Sequence, residues 1–177
     1  MPLLLAMSGS LRAVSHNTSL LEAAARVAPE GVVVEQYRGL ARLRHFNPDL
    51  DVDPPPRAVA ELRAHVAAAD GLIISSPEYA RGIPGSLKNA LDWLVSSVVF
   101  PNKPVALFNA SQRSVDAQAA LRLVLSTMSA RVIDEASITV PLLGTDLDAD
   151  GIAGHPAMAA QIRGALDALL RELRVQA

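Results

Sequence analysis

The stretch "SPEYARGIPGSLKNALDWL", Ser76–Leu94, follows the short apolar run "GLIIS" at residues 71–75. An apolar run of that length, followed by a loop with two prolines and two glycines, is typical of a buried β-strand. Beyond the loop, apolar residues recur at spacings of three and four, which predicts a helix over 84–97 with Pro84 in its first turn. The stretch therefore predicts a strand, a rigid loop and a helix in succession.

The same succession of strand and helix occurs five times along the chain. Strands are predicted over 3–7, 31–37, 71–76, 103–111 and 132–140, and helices over 15–28, 56–69, 84–97, 114–130 and 156–174. Such alternation favours a parallel sheet with helices on both faces. The sequence thus predicts an α/β fold, a flavodoxin-like three-layer sandwich with strand order 2-1-3-4-5, formed by a single domain over 1–177.

The composition excludes several classes of function. The chain has 177 residues, half of them apolar, with a net charge of −2 and no cysteine. Disulfides, thiolate catalysis and cysteine zinc sites are therefore excluded. No basic stretch indicates nucleic-acid binding, and no apolar run approaches the ~18 residues of a membrane span. The first residues lack the pattern of a secretory signal, so a cytoplasmic location is predicted.

The predicted topology indicates which loops to inspect for a ligand site. In open α/β sheets, ligands bind beyond the carboxyl ends of the strands, where the strand order reverses. Here that point lies between the first and third strands. The candidate loops are therefore those after Met7, Ser75 and Phe108.

The first candidate loop, residues 8–19, is rich in hydrogen-bond donors. It carries five hydroxyl side chains together with Arg12 and Asn17, but neither a dinucleotide fingerprint nor a P-loop motif. The helix that follows directs free N–H groups at the same place, and such groups bind anions. The loop predicts a monophosphate pocket, with an ordinary helix N-cap and a solvated arginine as the alternative.

The second candidate loop, residues 76–84, is stiff. Pro77 and Pro84 fix the backbone, while Gly82 allows close approach. Such a loop, with Tyr79, could line a flat pocket for a planar ligand, although a proline-capped helix start with a surface tyrosine also explains it. In the third loop, 109–117, Ser111 and Gln112 are either ligand contacts or part of a capped helix start.

Other motifs do not support a metal site or a catalytic side chain. The acidic run "DLDADG", 146–151, resembles half of a calcium loop, but the twelfth position is Ala157 instead of glutamate. The four histidines do not pair at metal-ligand spacing, and no G-x-S-x-G motif is present. Trp93 lies on the more polar side of its helix, where it either packs within the chain or forms a subunit interface; we favour the interface.

Two motifs resemble those of the NADPH-dependent FMN reductase family, which includes quinone, azo-dye and chromate reductases. "GSLRAVSHN", residues 9–17, is similar to the family's phosphate loop, and "SPEYARGIPGSLKNALDWL" is similar to its second, longer motif. The resemblance covers nearly the whole chain. It implies the flavodoxin-like fold, non-covalently bound FMN and NAD(P)H as co-substrate.

The resemblance also implies which residues contact FMN. Ser10, Arg12, Ser15 and Asn17 would hold the phosphate, with His16 in the same loop; Pro77, Glu78, Tyr79, Ala80, Arg81, Gly82 and Ile83 would border the isoalloxazine; and Ser111 would contact it from the third loop. Chemistry would occur at flavin N5, without a catalytic side chain. The helix 84–97, with Lys88, Asn89, Asp92 and Trp93, resembles the segment through which family members form homodimers or homotetramers.

The implied activity is a ping-pong transfer of hydride from NAD(P)H through FMN to a small acceptor such as a quinone, an azo compound or a flavin. Two alternatives are an electron carrier of the flavodoxin type without NAD(P)H activity and a non-flavin module that binds a phosphate ligand. Ala80 departs from the family, which often has asparagine there, and the third loop lacks the glycines of many relatives. Arg81 is a hypothetical contact for the nicotinamide nucleotide's phosphate.

Overall fold

The computed structural model of the protein describes residues 1–174. The strands are β1 Leu3–Ser8, β2 Val33–Tyr37, β3 Gly71–Ser75, β4 Pro104–Asn109, β5 Arg131–Val132 and β6 Ile138–Thr139. The helices are α1 His16–Val27, α2 Arg57–Ala68, α3 Gly85–Leu94, α4 Val115–Thr127, α5 Ala149–Gly154 and α6 Pro156–Arg174. The short helix α5 was not predicted from the sequence. Within residues 1–174, no helix is both long enough and apolar enough to cross a membrane.

The sheet is parallel and its order is β2-β1-β3-β4-β5, which confirms the predicted topology. Ser8 pairs with Ser75, and Met7 pairs with both Tyr37 and Ile74. The carboxyl ends of β1, β2 and β3 therefore lie at one level. The loops that follow these three strands leave the sheet side by side.

The predicted fifth strand, 132–140, is wrong as one continuous element. β5 and β6 each contain two residues, and a 3₁₀ turn at Asp134–Ala136 separates them. Both pair with β4. The hydroxyl of Ser137 donates to Ile133 O (2.8 Å) and accepts from Leu107 N (3.1 Å), so it satisfies backbone groups where the ladder is interrupted.

The alternating side chains of the central strands form two apolar cores. Leu4 and Ala6 of β1 pack on the face covered by α1, α5 and α6. Leu5 and Met7 pack on the opposite face, beneath α2, α3 and α4. This period-two alternation fixes the register of β1, because a shift by one residue would exchange the two sets.

Trp93 is completely buried within its own chain, so the expectation of an exposed interface tryptophan is wrong. The irregular segment 38–56 covers this side of α3. The Trp93 Nε1–H donates to Arg44 O at 2.8 Å, and the indole packs edge-on against Phe46 with ring centroids 5.1 Å apart. Asn89 fixes the same segment by accepting from Phe46 N and donating to Arg44 O. The side of α3 that carries Asn89 and Trp93 is therefore an intrachain contact.

A half-buried ion pair attaches the same segment to α2 and to the end of α3. Arg63 donates to Asp51 Oδ1 (2.8 Å), to Trp93 O (2.8 Å) and to Ser96 Oγ (2.8 Å). The hydrogen bond from the Ser96 hydroxyl, followed by that from Arg63, lowers the pKa of Asp51 from its ordinary value of 3.8. A carboxyl whose pKa is lower in the folded state stabilises the protein at pH values above its unfolded-state pKa. This stabilisation is lost as the pH falls through the folded-state pKa.

Asp51→Asn is therefore expected to lower the free energy of unfolding at pH 7 by about 1–3 kcal/mol, because Arg63 loses its carboxylate partner. Urea denaturation at pH 7 and at steps from pH 5 to 3 measures the difference from wild type. That difference should shrink as pH falls below 3.8, because Asp51 of the unfolded wild-type chain is protonated first and the folded carboxyl only below its lowered pKa. A difference that is constant across this range would contradict a role for the Asp51 charge.

Candidate cofactor site

The loop between β1 and α1 forms an ordered set of donors at the start of a helix. Ser15 is the N-cap of α1, and its hydroxyl accepts from Thr18 N. The Oδ1 of buried Asn17 accepts from the Ser75 hydroxyl at 2.9 Å, which leaves the Asn17 NH₂ group to donate to a ligand. His16 is the first residue of α1 and is half-buried. The arrangement suits an anion, since the free backbone N–H groups at a helix N-terminus can donate hydrogen bonds to one.

Backbone contacts fix this loop against the loop that follows β3. Gly9 N donates to Ser75 O at 2.8 Å, and the Ser86 hydroxyl donates to Gly9 O at 3.4 Å. A Cβ at Gly9 would lie 2.9 Å from Ser76 Oγ, so the close approach requires glycine. A cavity of about 420 Å³ opens between the two loops, lined by Gly9, Leu11, Arg12, Tyr79, Pro84, Gly85 and Ser86. The predicted meeting of the first and second loops is thus observed.

The loop after β3 contains a tight two-residue turn. Tyr79 and Gly82 exchange both backbone hydrogen bonds at 3.0 Å. Ala80 and Arg81 between them have φ angles of 49° and 61°, the left-handed region that a two-residue hairpin turn requires. Residues with a Cβ adopt this region at a cost of about 1–2 kcal/mol each. The turn holds the backbone of 79–82 in one conformation and leaves the Tyr79 ring half-exposed.

The carboxylate of Glu78 caps α4, a role separate from the ring contact that the resemblance implies for this residue. Glu78 Oε2 accepts from Ala117 N at 2.9 Å in the first turn of that helix. Ser114, the residue at the N-cap position, makes no side-chain capping bond. Next to this contact, Arg81 Nε lies 3.5 Å from Asp116 Oδ2. Glu78 therefore ties the second loop to the helix that follows the third loop, a role that the sequence did not indicate.

Glu78→Ala is expected to lower the free energy of unfolding by about 1 kcal/mol, the usual effect of losing a helix cap. It should also weaken flavin binding, because the 77–83 segment loses its attachment to α4. Glu78→Gln keeps an oxygen acceptor and should recover most of both effects. Urea denaturation and flavin titration provide the two measurements, with Glu135→Ala as the control for removing an exposed carboxylate. Glu78→Ala with wild-type stability and flavin affinity would rule out this positioning role.

The third loop follows β4, the neighbour of β3, and forms a polar turn; Ser111 does not line the cavity between the first two loops. Ser111 N donates to Asn109 Oδ1 at 3.1 Å, and the Ser111 hydroxyl accepts from Arg113 N at 3.1 Å. This is the local bonding of a turn before a helix, one of the two interpretations of the sequence. The Ser111 hydroxyl retains its hydrogen for a further partner.

The sequence did not point to the carboxyl end of β2. There, Gln36, Tyr37 and Arg38 lie beside the first loop and line a second cavity with it. The sequence does contain a signal for this region, because the polar residues Gln36 and Arg38 lie at the end of β2, the neighbour of β1.

Comparison with known proteins assigns the family. The profile of the NADPH-dependent FMN reductase family matches residues 2–142. The chain is 31% identical to the NAD(P)H-dependent FMN reductase PA1204 of Pseudomonas aeruginosa, over 83% of this chain and 82% of that protein. It is 34% identical to a 2-hydroxy-1,4-benzoquinone reductase of a Burkholderia species, over 81% and 80% of the two chains.

Solved structures show the same fold. FerB, a flavoenzyme NAD(P)H:(acceptor) oxidoreductase from Paracoccus denitrificans, superimposes with a TM-score of 0.78 at 24% identity, covering 99% of this chain and 98% of that one. The apo form of an NADH:FMN oxidoreductase, EMOB, gives a TM-score of 0.68 at 21% identity, covering 97% and 90%. On its matched profile and on relatives matched over 80–82% of their length, the chain belongs to the NADPH-dependent FMN reductase family, whose members are NAD(P)H-linked flavoprotein oxidoreductases with a flavodoxin-like fold.

Proposed function

We propose that the first loop holds the phosphate of FMN and that the second loop borders its ring. The phosphate contacts are Ser10, Arg12, Ser15 and Asn17, with His16 beside them; the ring contacts are residues 77–83 together with Ser111. The cavity that Arg12 and Tyr79 share is the observation that carries this proposal, because it joins the anion-binding donors to the rigid turn. The donor set fits a phosphate, and the fixed peptide edge fits a planar ring.

Bound FMN supplies two-electron chemistry between a reduced nicotinamide nucleotide and an acceptor. The chain's own contribution is to bind and orient. The α1 N-terminus and Arg12 neutralise the phosphate, and the 79–82 turn presents fixed backbone groups along the ring edge. No side chain of the site needs to act as an acid or base. We propose a quinone as the acceptor, since the name of one relative, matched over 80% of its length, gives a benzoquinone as its substrate.

We also propose a homodimer or homotetramer that uses the 84–97 segment. Trp93 does not contribute, since it is buried within the chain. Val95 is exposed, and Val98 just beyond the segment is 92% exposed, so this end of α3 presents apolar surface. Val98→Lys should shift the assembly toward monomer in analytical ultracentrifugation, while the stability of the fold stays at the wild-type value.

The cytoplasmic location stays a prediction from sequence.

An anaerobic absorbance experiment tests the activity. The purified protein is mixed with FMN, desalted and scanned, and NADPH and then a benzoquinone are added. Retained flavin bands that bleach with NADPH and return with the quinone support the proposal. Retained bands that NADPH does not bleach would favour an electron carrier of the flavodoxin type. A protein that retains no flavin would favour a non-flavin phosphate-binding module.

A further inference from the structure

Ser75 is the last residue of β3, and it ends an otherwise apolar strand with a hydroxyl inside the protein. Its exposed fraction is 0%. Because side chains alternate along a strand, Ser75 lies on the same face of the sheet as Ile73, which packs in the core covered by α1. The Ser75 side chain is therefore directed toward α1. It is not one of the proposed flavin contacts.

The Ser75 hydroxyl forms one hydrogen bond with residues 1–174, which it donates to Oδ1 of Asn17 at 2.9 Å. The two residues are 58 positions apart in the chain, and both are buried. A buried hydroxyl needs a partner, because an unpaired donor in the protein interior costs free energy. The bond therefore links the end of β3 to the first turn of α1.

This bond determines which end of the Asn17 amide is available to a ligand. With Oδ1 held by Ser75, the NH₂ group is free, and no residue of 1–174 accepts from it. If the amide were turned over, its NH₂ group would donate to Ser75 Oγ, and the Ser75 hydrogen would lose its acceptor. The Asn17 carbonyl oxygen would then face the phosphate loop, where it would repel an anion. Ser75 thus favours the amide orientation that supplies donors to a phosphate.

The backbone of Ser75 contacts the same loop at a second point. Gly9 N donates to Ser75 O at 2.8 Å, and Ser8 pairs with Ser75 in the register of β1 and β3. One residue therefore contacts the phosphate loop both where it leaves β1 and where it enters α1. A side-chain substitution at Ser75 removes only the contact with Asn17, so the two contributions can be separated.

We propose that Ser75 is a positioning residue for the phosphate of FMN. It acts through Asn17, whose amide it holds with the NH₂ group available to a phosphate oxygen, and it does not touch the phosphate itself. The inference rests on the proposed function, since it explains how one of the proposed phosphate contacts is oriented.

Flavin titrations that compare FMN with riboflavin test this role, because only FMN carries the phosphate. Ser75→Ala should weaken FMN binding about 3- to 10-fold, as expected when one hydrogen bond is impaired, and leave riboflavin binding near the wild-type value. Ser75→Thr keeps the hydroxyl and should restore most of the FMN affinity. Ser76→Ala is the matched control, since it removes the neighbouring buried hydroxyl, which donates to Pro77 O at 3.0 Å. It should change FMN and riboflavin binding by the same factor.

A double-mutant cycle separates action through Asn17 from a general loosening of the loop. Asn17→Ala removes the amide and should weaken FMN binding at least as much as Ser75→Ala does. Ser75→Ala added to Asn17→Ala should cause no further loss, because no amide is left to orient. Urea denaturation first establishes that each variant is folded. If Ser75→Ala does not fold, Ser75→Cys takes its place, because the thiol is similar in size and a weak donor.

Equal losses of FMN and riboflavin affinity in Ser75→Ala would overturn the positioning role. A loss of FMN affinity in the Asn17→Ala background as large as the loss in wild type would also overturn it. A wild type that binds FMN more tightly than riboflavin, with unchanged FMN binding in Ser75→Ala, overturns this inference alone. A wild type that binds neither flavin overturns the proposed function together with it.

Discussion

Trp93→Ala is expected to lower the free energy of unfolding by about 3–5 kcal/mol, the range for removing a large buried aromatic side chain. The indole is fully buried, packs against Phe46 and bonds to Arg44 O, so truncation creates a cavity and leaves that carbonyl without its indole donor. The 38–56 segment should detach from α3 as a result. Urea denaturation measures the loss of stability, and limited proteolysis near Arg44 would detect the detached segment.

Trp93→Phe is the matched variant, because it keeps an aromatic ring and removes the Nε1–H donor. It should lower the free energy of unfolding by about 1–2 kcal/mol, which is close to the contribution of one buried hydrogen bond together with some lost packing. If Trp93 were instead a subunit contact, Trp93→Ala would dissociate an oligomer and leave the stability of the monomer nearly unchanged. Sedimentation velocity at several concentrations separates these two results.

Arg12→Ala is expected to weaken FMN binding about 10- to 150-fold. Charge-assisted hydrogen bonds to a phosphate contribute about 1.5–3 kcal/mol, and the alanine variant loses them. Arg12 is exposed, and its one hydrogen bond with residues 1–174 is that of its backbone N–H to Ser10 Oγ at 3.3 Å. The substitution should therefore leave the unfolding temperature of the flavin-free protein within about 1 °C of wild type. Quenching of FMN fluorescence on titration with protein gives the dissociation constant.

Titration with riboflavin, which lacks the phosphate, is the sharpest control for this variant. Wild type and Arg12→Ala should bind riboflavin with similar affinity, since the difference between them acts through the phosphate alone. Arg57→Ala removes the same charge from an exposed site on α2 and should bind FMN like wild type. An Arg12→Ala protein that binds FMN as tightly as wild type would contradict the phosphate assignment.

The sequence predicted the sheet order and the meeting of the first two loops because these features follow from periodicity and topology. Buried parallel strands are continuous apolar runs, and their carboxyl ends meet at one edge. The stiffness of the proline-bounded loop at 76–84 could likewise be predicted locally, since proline fixes the backbone φ angle.

The contacts that the sequence did not reveal join residues far apart in the chain. Helical periodicity placed Trp93 away from the main apolar face of α3, but it could not show that an irregular segment folds over that side. The cap that Glu78 provides for α4 depends on a contact 39 residues away. The break in the predicted fifth strand reflects Asp134 and Glu135, which are exposed and form a turn where apolar residues would have continued the ladder.

The interrupted strand also limits how copies of this chain could associate or aggregate. β5 and β6 offer runs of only two residues, with a turn between them, along the outer edge of the sheet. A long, flat edge with unpaired N–H and C=O groups would invite another chain to add as a further strand. At this edge an incoming strand would lose its register at Asp134–Ala136. Assembly of copies by extending the sheet on this side is thus disfavoured, and any association of copies would have to use other surfaces, such as those of the helices.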